Sequence, residues 1–165
     1  MKPETIASIE SRWRELRAYA GRLVDDLAAD DMAHQPIPSV TMNHAAWALS
    51  HLSIYGPLLA GMLRNEPVED PGSHKWGRSS APIADAAAYP PKTELLRLYQ
   101  DGYDDAVAAL KSASDADFAR PAPFERWRDR FPTVGHMPIH FLVQHNALHL
   151  GQISAWRRAS GRPAV

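Results

Sequence analysis

The sequence predicts an all-α fold, an antiparallel four-helix bundle filling one domain over residues 1–165, with long connections between helices two and three and between helices three and four. Three observations predict it. Four separate segments of helical length carry apolar surface, the first with apolar residues at alternating three- and four-residue steps. Stretches rich in Pro, Gly and Ser separate those segments. No alternating run of β-branched residues suggests a strand.

Helix one is read from Ile6, Ile9, Trp13, Leu16, Ala20, Leu23 and Leu27, the stripe of an amphipathic helix packed on partners. Pro36 and Pro38 break the chain next, because proline fixes φ and lacks an N–H, and Thr41 or Asn43 can cap the second helix. Helix two runs from about His44 to Arg64 on Ala46, Trp47, Leu49, Leu52, Leu58, Leu59 and Leu63, with a kink expected at Pro57. The segment from Asn65 to Pro91 is too long for a simple turn, and Trp76 and Tyr89 within it point to an ordered covering loop. Pro91 suits the first turn of helix three, which carries Leu95, Leu98, Tyr99, Val107 and Leu110 to about Ser112. A second long connection leads to helix four, from about Pro138 to Gly161, with Arg157 and Arg158 placed to complement the dipole of its last turn.

Composition excludes several functions. The 18 Lys and Arg nearly balance the 19 Asp and Glu, so the chain lacks the basic field that nucleic acids or anionic membranes require. With no cysteine there is no disulfide, no thiolate nucleophile and no Cys-ligated metal, which leaves nitrogen and oxygen as ligands. The first residues, MKPETIASIE, are amphipathic and unlike a secretory signal, and no apolar run approaches the roughly 18 residues of a membrane span. The expected location is cytoplasmic.

The chemistry sits in the eight histidines. In HNALHLGQIS, His145 and His149 are four residues apart, hence about 40° apart around a helix axis and able to hold one ion together. Gln152 lies within about 20° of His145 on the same face, placed to support a ring nitrogen. On helix two, NHAAWALSH puts His44, Trp47 and His51 on a matching line, from which either histidine can complete a three-histidine set. His140 falls about 140° round from His145 and is not expected to ligate. The His136 and His140 pair straddles Pro138 at the helix start. Three neutral imidazoles leave an ion its full charge and open positions, the pattern of a reactive site, and they favour zinc or nickel, with iron, cobalt and copper as further candidates.

Absences narrow the reaction. Asn146 stands where a zinc peptidase would carry its glutamate, and the Glu-x-x-His pairs of di-iron bundles do not occur; Asp31 and His34 are an isolated Asp-x-x-His. A histidine phosphotransfer bundle needs an exposed histidine, whereas these lie on apolar faces. What remains is an ion that lowers the pKa of a water or an incoming thiol and presents it as a nucleophile.

The stretches NHAAWALSHL and HNALHLGQISAWRRASGRP resemble the DinB/YfiT-like superfamily of metal-binding four-helix bundles, and helix order and long connections agree over essentially the whole chain. The resemblance implies one metal-binding histidine on helix two and two on helix four, which here are His51, His145 and His149, and so it selects His51 over His44. His44, Trp47, Gln152 and Trp76 are then supporting or pocket residues. Ser50 precedes the helix-two ligand where many relatives have glycine.

Relatives in this family include bacillithiol S-transferases and mycothiol-dependent isomerases. The resemblance therefore implies a metal-dependent enzyme, an S-transferase acting on a small-molecule substrate with a low-molecular-weight thiol of the glutathione, bacillithiol or mycothiol type. Arg78, Lys75 and Arg126 are candidates for holding the thiol's carboxylate. A hydrolase using bound hydroxide, and a non-catalytic metal-binding stress or interaction bundle, are the alternative readings. Homodimer formation fits such bundles.

Overall fold

The computed structural model describes residues 1–165 and is helical, without a strand. Helix α1 spans Pro3–Val24, with Pro3 in the first turn, where its missing N–H has no intrahelical partner to lose. Its inner face buries Ile9, Trp13, Ala20 and Leu23, and Trp13 packs between Tyr99 and Tyr103, with ring centroids 5.4 and 4.9 Å away.

Helix two of the sequence reading is two helices. Helix α2 is Ala45–Ser53 and α3 is Tyr55–Arg64. Pro57 is the cause, acting one turn earlier than a simple kink: it has no N–H to offer the Ser53 carbonyl, and its ring crowds that oxygen, so α2 stops at Ser53. Every residue of α2 is buried, which explains why this segment is apolar on all sides and not striped. His44 precedes the helix as its N-cap; its ring Nδ1 accepts the Trp47 N–H at 3.2 Å.

Helix α4, Lys92–Ser112, begins directly after Pro91 and packs along α2 and α3. Its approach to α3 is backbone on backbone: a Cβ added at Gly56 would lie 2.5 Å from the Gly102 carbonyl carbon. The second connection contains a short helix, α5, Asp115–Ala119, closed by a capping box between Ser114 and Asp117. The S-x-x-D spacing is the local signal for it.

Helix four begins with a single turn, α6, Met137–Ile139, continues through a π-helical turn over His140–His145, and becomes regular as α7, Asn146–Ala159. Gly161, at φ 72, takes the left-handed conformation expected just beyond the helix end. Arg157 departs from the sequence reading. It does not sit in solvent over the dipole; it is 1% exposed and ties α7 to the end of α1 through the Leu23 carbonyl at 2.9 Å and Asp26 at 2.5 Å. The buried apolar side chains form one continuous cluster drawn from α1, α2, α3, α4 and the helix-four segment. No helix is long and apolar enough to cross a membrane.

Candidate metal centre

The buried α2 carries His51 inward, and the π-turn and α7 carry His145 and His149 to meet it. The three Nε2 atoms converge: His145 Nε2 lies 3.2 Å from His51 Nε2 and 3.1 Å from His149 Nε2. Ligand nitrogens about 2.0–2.1 Å from one ion are separated by about 2.9 Å at right angles and about 3.4 Å at the tetrahedral angle, so the observed spacing brackets an ion at their centre. The three side chains form a group able to hold a metal ion. His51 and His149 are 4% and 7% exposed, and His145 is half-buried.

The outer nitrogens fix the tautomers. His51 Nδ1 donates to the Trp76 carbonyl at 2.7 Å, an oxygen that can only accept. His149 Nδ1 donates to Gln152 Oε1 at 2.8 Å, and Asn43 Nδ2 donates to the same oxygen at 2.9 Å, which orients the amide. Both rings therefore turn a bare Nε2 lone pair toward His145, the arrangement a metal ligand requires. Without a metal, a proton on His145 Nε2 can serve only one of these two lone pairs, whereas a shared cation satisfies all three nitrogens. The remaining outer nitrogen, His145 Nδ1, is buried without a partner.

Electrostatics agree with neutral rings. Burial, then the neighbouring imidazoles, hold His145 down to about 2 and His149 to about 4; burial also lowers His51, partly offset by its bond to Trp76. Each folded value lies below the ordinary value of about 6.5, so between the two the unfolded chain binds more protons and folding weakens as pH falls. Metal-free protein is expected to be fully stabilised above about pH 6.5 and to lose about 3 kcal/mol from His149 alone by about pH 4. Denaturant midpoints measured on chelator-treated protein near pH 7 and pH 5 check this; an unchanged midpoint contradicts it.

Each residue singled out in the sequence has a definite place. Gln152 supports a ring nitrogen as expected, but that of His149, three residues away, not that of His145. Trp47 stacks on His51, with centroids 4.9 Å apart and planes at 11°. Trp76 contributes its backbone oxygen, while its indole carries the Lys75 ammonium 4.3 Å from the ring centroid. His44 stays outside the cluster: besides accepting the Trp47 N–H, it donates from Nε2 to the Ile83 carbonyl at 3.0 Å.

His44, Trp47 and His51 thus hold the covering loop at three successive points: Ile83, then Ser80 through the Trp47 indole N–H at 3.0 Å, then Trp76. The loop runs antiparallel to α2 along that face. The shared line of these three residues, which the sequence offers as a ligand row, is one ligand candidate and a strap.

His140 is not among the three converging side chains, yet it lies nearer to them than α-helical spacing implies. An α-helix would set it about 140° from His145, but the π-turn accommodates an extra residue and brings position i+5 back toward i, so the two rings lie 5.7 Å apart. Asn146, in the position of the peptidase glutamate, faces the core. Its Oδ1 accepts from the Tyr99 hydroxyl at 2.8 Å and its Nδ2 donates to the Phe141 carbonyl at 2.6 Å, five residues back, so it buttresses the π-turn.

The three histidines floor a cleft of about 1020 Å³ whose walls include Trp47, Tyr55, Trp127 and Phe131. Sequence reasoning passed over Tyr55, Trp127 and Phe131. Tyr55 lies on the helix segment that Pro57 redirects, its ring centroid 4.6 Å from that of His145, and the other two sit in the second connection, where no periodicity marks an inward face.

The family model for the DinB superfamily matches residues 4–153, from the second residue of α1 well into α7. No curated protein and no solved structure matches the chain. The matched span includes all three converging histidines, the strap and both long connections, and the chain belongs to the DinB superfamily.

Proposed function

We propose that the protein is a metal-dependent S-transferase in which His51, His145 and His149 hold a divalent ion, zinc or nickel, at the floor of the cleft. The convergence of three Nε2 atoms beneath an open cleft is the observation that carries this reading. Bound there, the ion supplies charge that favours the thiolate form of an incoming low-molecular-weight thiol. The framework on which the reading rests is a one-domain antiparallel four-helix bundle made of α1, α2 with α3, α4, and the helix-four segment.

The protein's own residues do the rest. Gln152 and the Trp76 carbonyl hold two rings in the ligating tautomer, Trp47 and Tyr55 fix ring planes by stacking and edge contact, and the aromatic walls offer apolar surface beside the reacting atoms. No Asp or Glu lines the cleft, so a bound ion is what would deprotonate the nucleophile, whether a thiol or the water of the hydrolase reading. An ion kept only for stability would not need the cleft above it.

Metal analysis of purified protein is expected to show about one divalent ion per chain, and turnover of a model alkyl halide is expected only when a thiol is supplied. Turnover without thiol, or none with any thiol, contradicts the transferase reading. Gln152→Ala is expected to weaken metal binding by about 10–100-fold, because His149 loses the partner that sets its tautomer. Competition against a chromophoric chelator measures it.

A further inference from the structure

The cleft above the three histidines is strongly one-signed. Arg78, Arg126 and Arg130 line it, and no acidic side chain does. The three are not equivalent. Arg126 is neutralised by a two-pronged ion pair with Asp70, its Nη1 at 2.8 Å from Oδ2 and its Nη2 against Oδ1. Arg78 makes no ion pair, and Arg130 makes none either; its guanidinium lies 4.9 Å from the centroid of the Phe131 ring. Lys75, the remaining sequence candidate, does not line the cleft and is taken up by the Trp76 indole.

The two free guanidinium groups reach the cleft from different connections, Arg78 from the one between α3 and α4 and Arg130 from the one between α5 and α6. Arg78 is carried by the loop that His44, Trp47 and His51 strap to α2, so its place relative to the histidines is fixed through the same residues that build the floor. The aromatic walls line the same cleft as the two cations. At about 1020 Å³ the cleft is at the upper end of the roughly 300–1,000 Å³ that holds a drug-sized ligand.

We propose that this cleft selects a small organic anion with two separated carboxylates and an apolar body: Arg78 receives one carboxylate, Arg130 the other, and the body lies along the aromatic walls. Unpaired cations beside low-dielectric aromatic surface concentrate anions, and guanidinium groups match carboxylates in a two-pronged geometry. Arg126 is held by Asp70 as part of the wall. The proposal rests on the metal-site reading, since that reading makes the cleft the substrate site.

The probe is S-hexylglutathione, a dicarboxylate with a hexyl tail and a blocked sulfur, compared with its diethyl ester. Both are titrated by tryptophan fluorescence and calorimetry into wild type, R78A, R130A and R126A, each as purified and after chelator treatment, with metal content measured in parallel. The diacid is expected to bind saturably, about tenfold more weakly to R78A and to R130A, and more weakly as salt rises. The diester is expected to bind all the proteins weakly and alike. Equal binding of diacid and diester, equal binding to wild type and both arginine variants, or no saturable binding of the diacid overturns the proposal. Arginine-dependent diacid binding to protein that takes up no metal leaves this inference standing and overturns the metal-site reading instead. Metal uptake without acid-selective binding does the reverse.

Discussion

His145→Ala is expected to abolish stoichiometric metal uptake, lowering affinity by more than about 100-fold, beyond the loss usual for an outer-shell partner. His145 is the hinge of the cluster, since its Nε2 is the atom that both His51 and His149 approach. The same substitution has a separable effect on the metal-free protein. It removes a ring whose Nδ1 is buried without a partner and whose Nε2 proton can serve only one of two facing lone pairs, so metal-free His145→Ala is expected to melt close to metal-free wild type. Added zinc should raise the melting temperature of wild type, because it binds the folded form alone, and leave the variant unmoved. Two melting series, with and without zinc, read both effects. A variant that melts far below wild type without metal would show that the ring's main contribution is packing.

Gly56→Ala is expected to cost about 3 kcal/mol or more and to lower the melting temperature by roughly 6–12 °C. The added Cβ would meet the Gly102 carbonyl carbon at 2.5 Å, its oxygen at 2.7 Å and the Tyr103 nitrogen at 2.7 Å. These are backbone atoms in the middle of a helix and cannot swing aside as a side chain would. Relief requires α3 and α4 to separate along a buried contact that includes Tyr99 and Tyr103, both fully buried. Gly102→Ala meets a different obstacle, the Pro57 ring at 2.8 Å. By contrast, Gly21 and Gly151 have nothing within 4 Å of an added Cβ, and alanine there is expected to be neutral or mildly stabilising. Denaturant midpoints of Gly56→Ala, Gly102→Ala and Gly151→Ala order the three.

The site and its frame are linked through a few contacts. Asn146 connects the π-turn to Tyr99, which packs edge-on against Trp13 of α1, so the register that presents His145 is anchored in the core and not in the cleft. The strap from α2 to the covering loop holds the ligand candidate His51 and the cation Arg78 in one unit. Placing the site on buried helix with a satisfied outer layer keeps three imidazoles close without the flexibility that surface histidines would have.

Much of this was legible in the chain. The three- and four-residue spacing of apolar positions predicted α1, because a helix repeats through neighbouring residues alone; Ile9, Trp13 and Leu23 line its inner face as their spacing implies. The spacing of His145 and His149 likewise carried its geometry within one helix. What local spacing could not carry was decided by partners. Whether His44 or His51 joins the pair depends on which of them α2 turns toward helix four, and His44 is occupied by Ile83 and Trp47 instead.

The π-turn that brings His140 beside His145 depends on Asn146 finding Tyr99 on another helix. Arg157 could be assigned to a helix end from sequence, but its burial depends on Asp26 and the Leu23 carbonyl at the end of α1. The sequence alone determined the helices, their faces and the paired histidines of helix four, all consequences of period and steric breaks along one chain. Tertiary structure brought to that pair the third histidine, which the family resemblance had selected, and alone decided the tautomers, the cleft and its two free arginines, because each requires atoms distant in sequence to meet within a hydrogen bond's length or to leave one another unpaired.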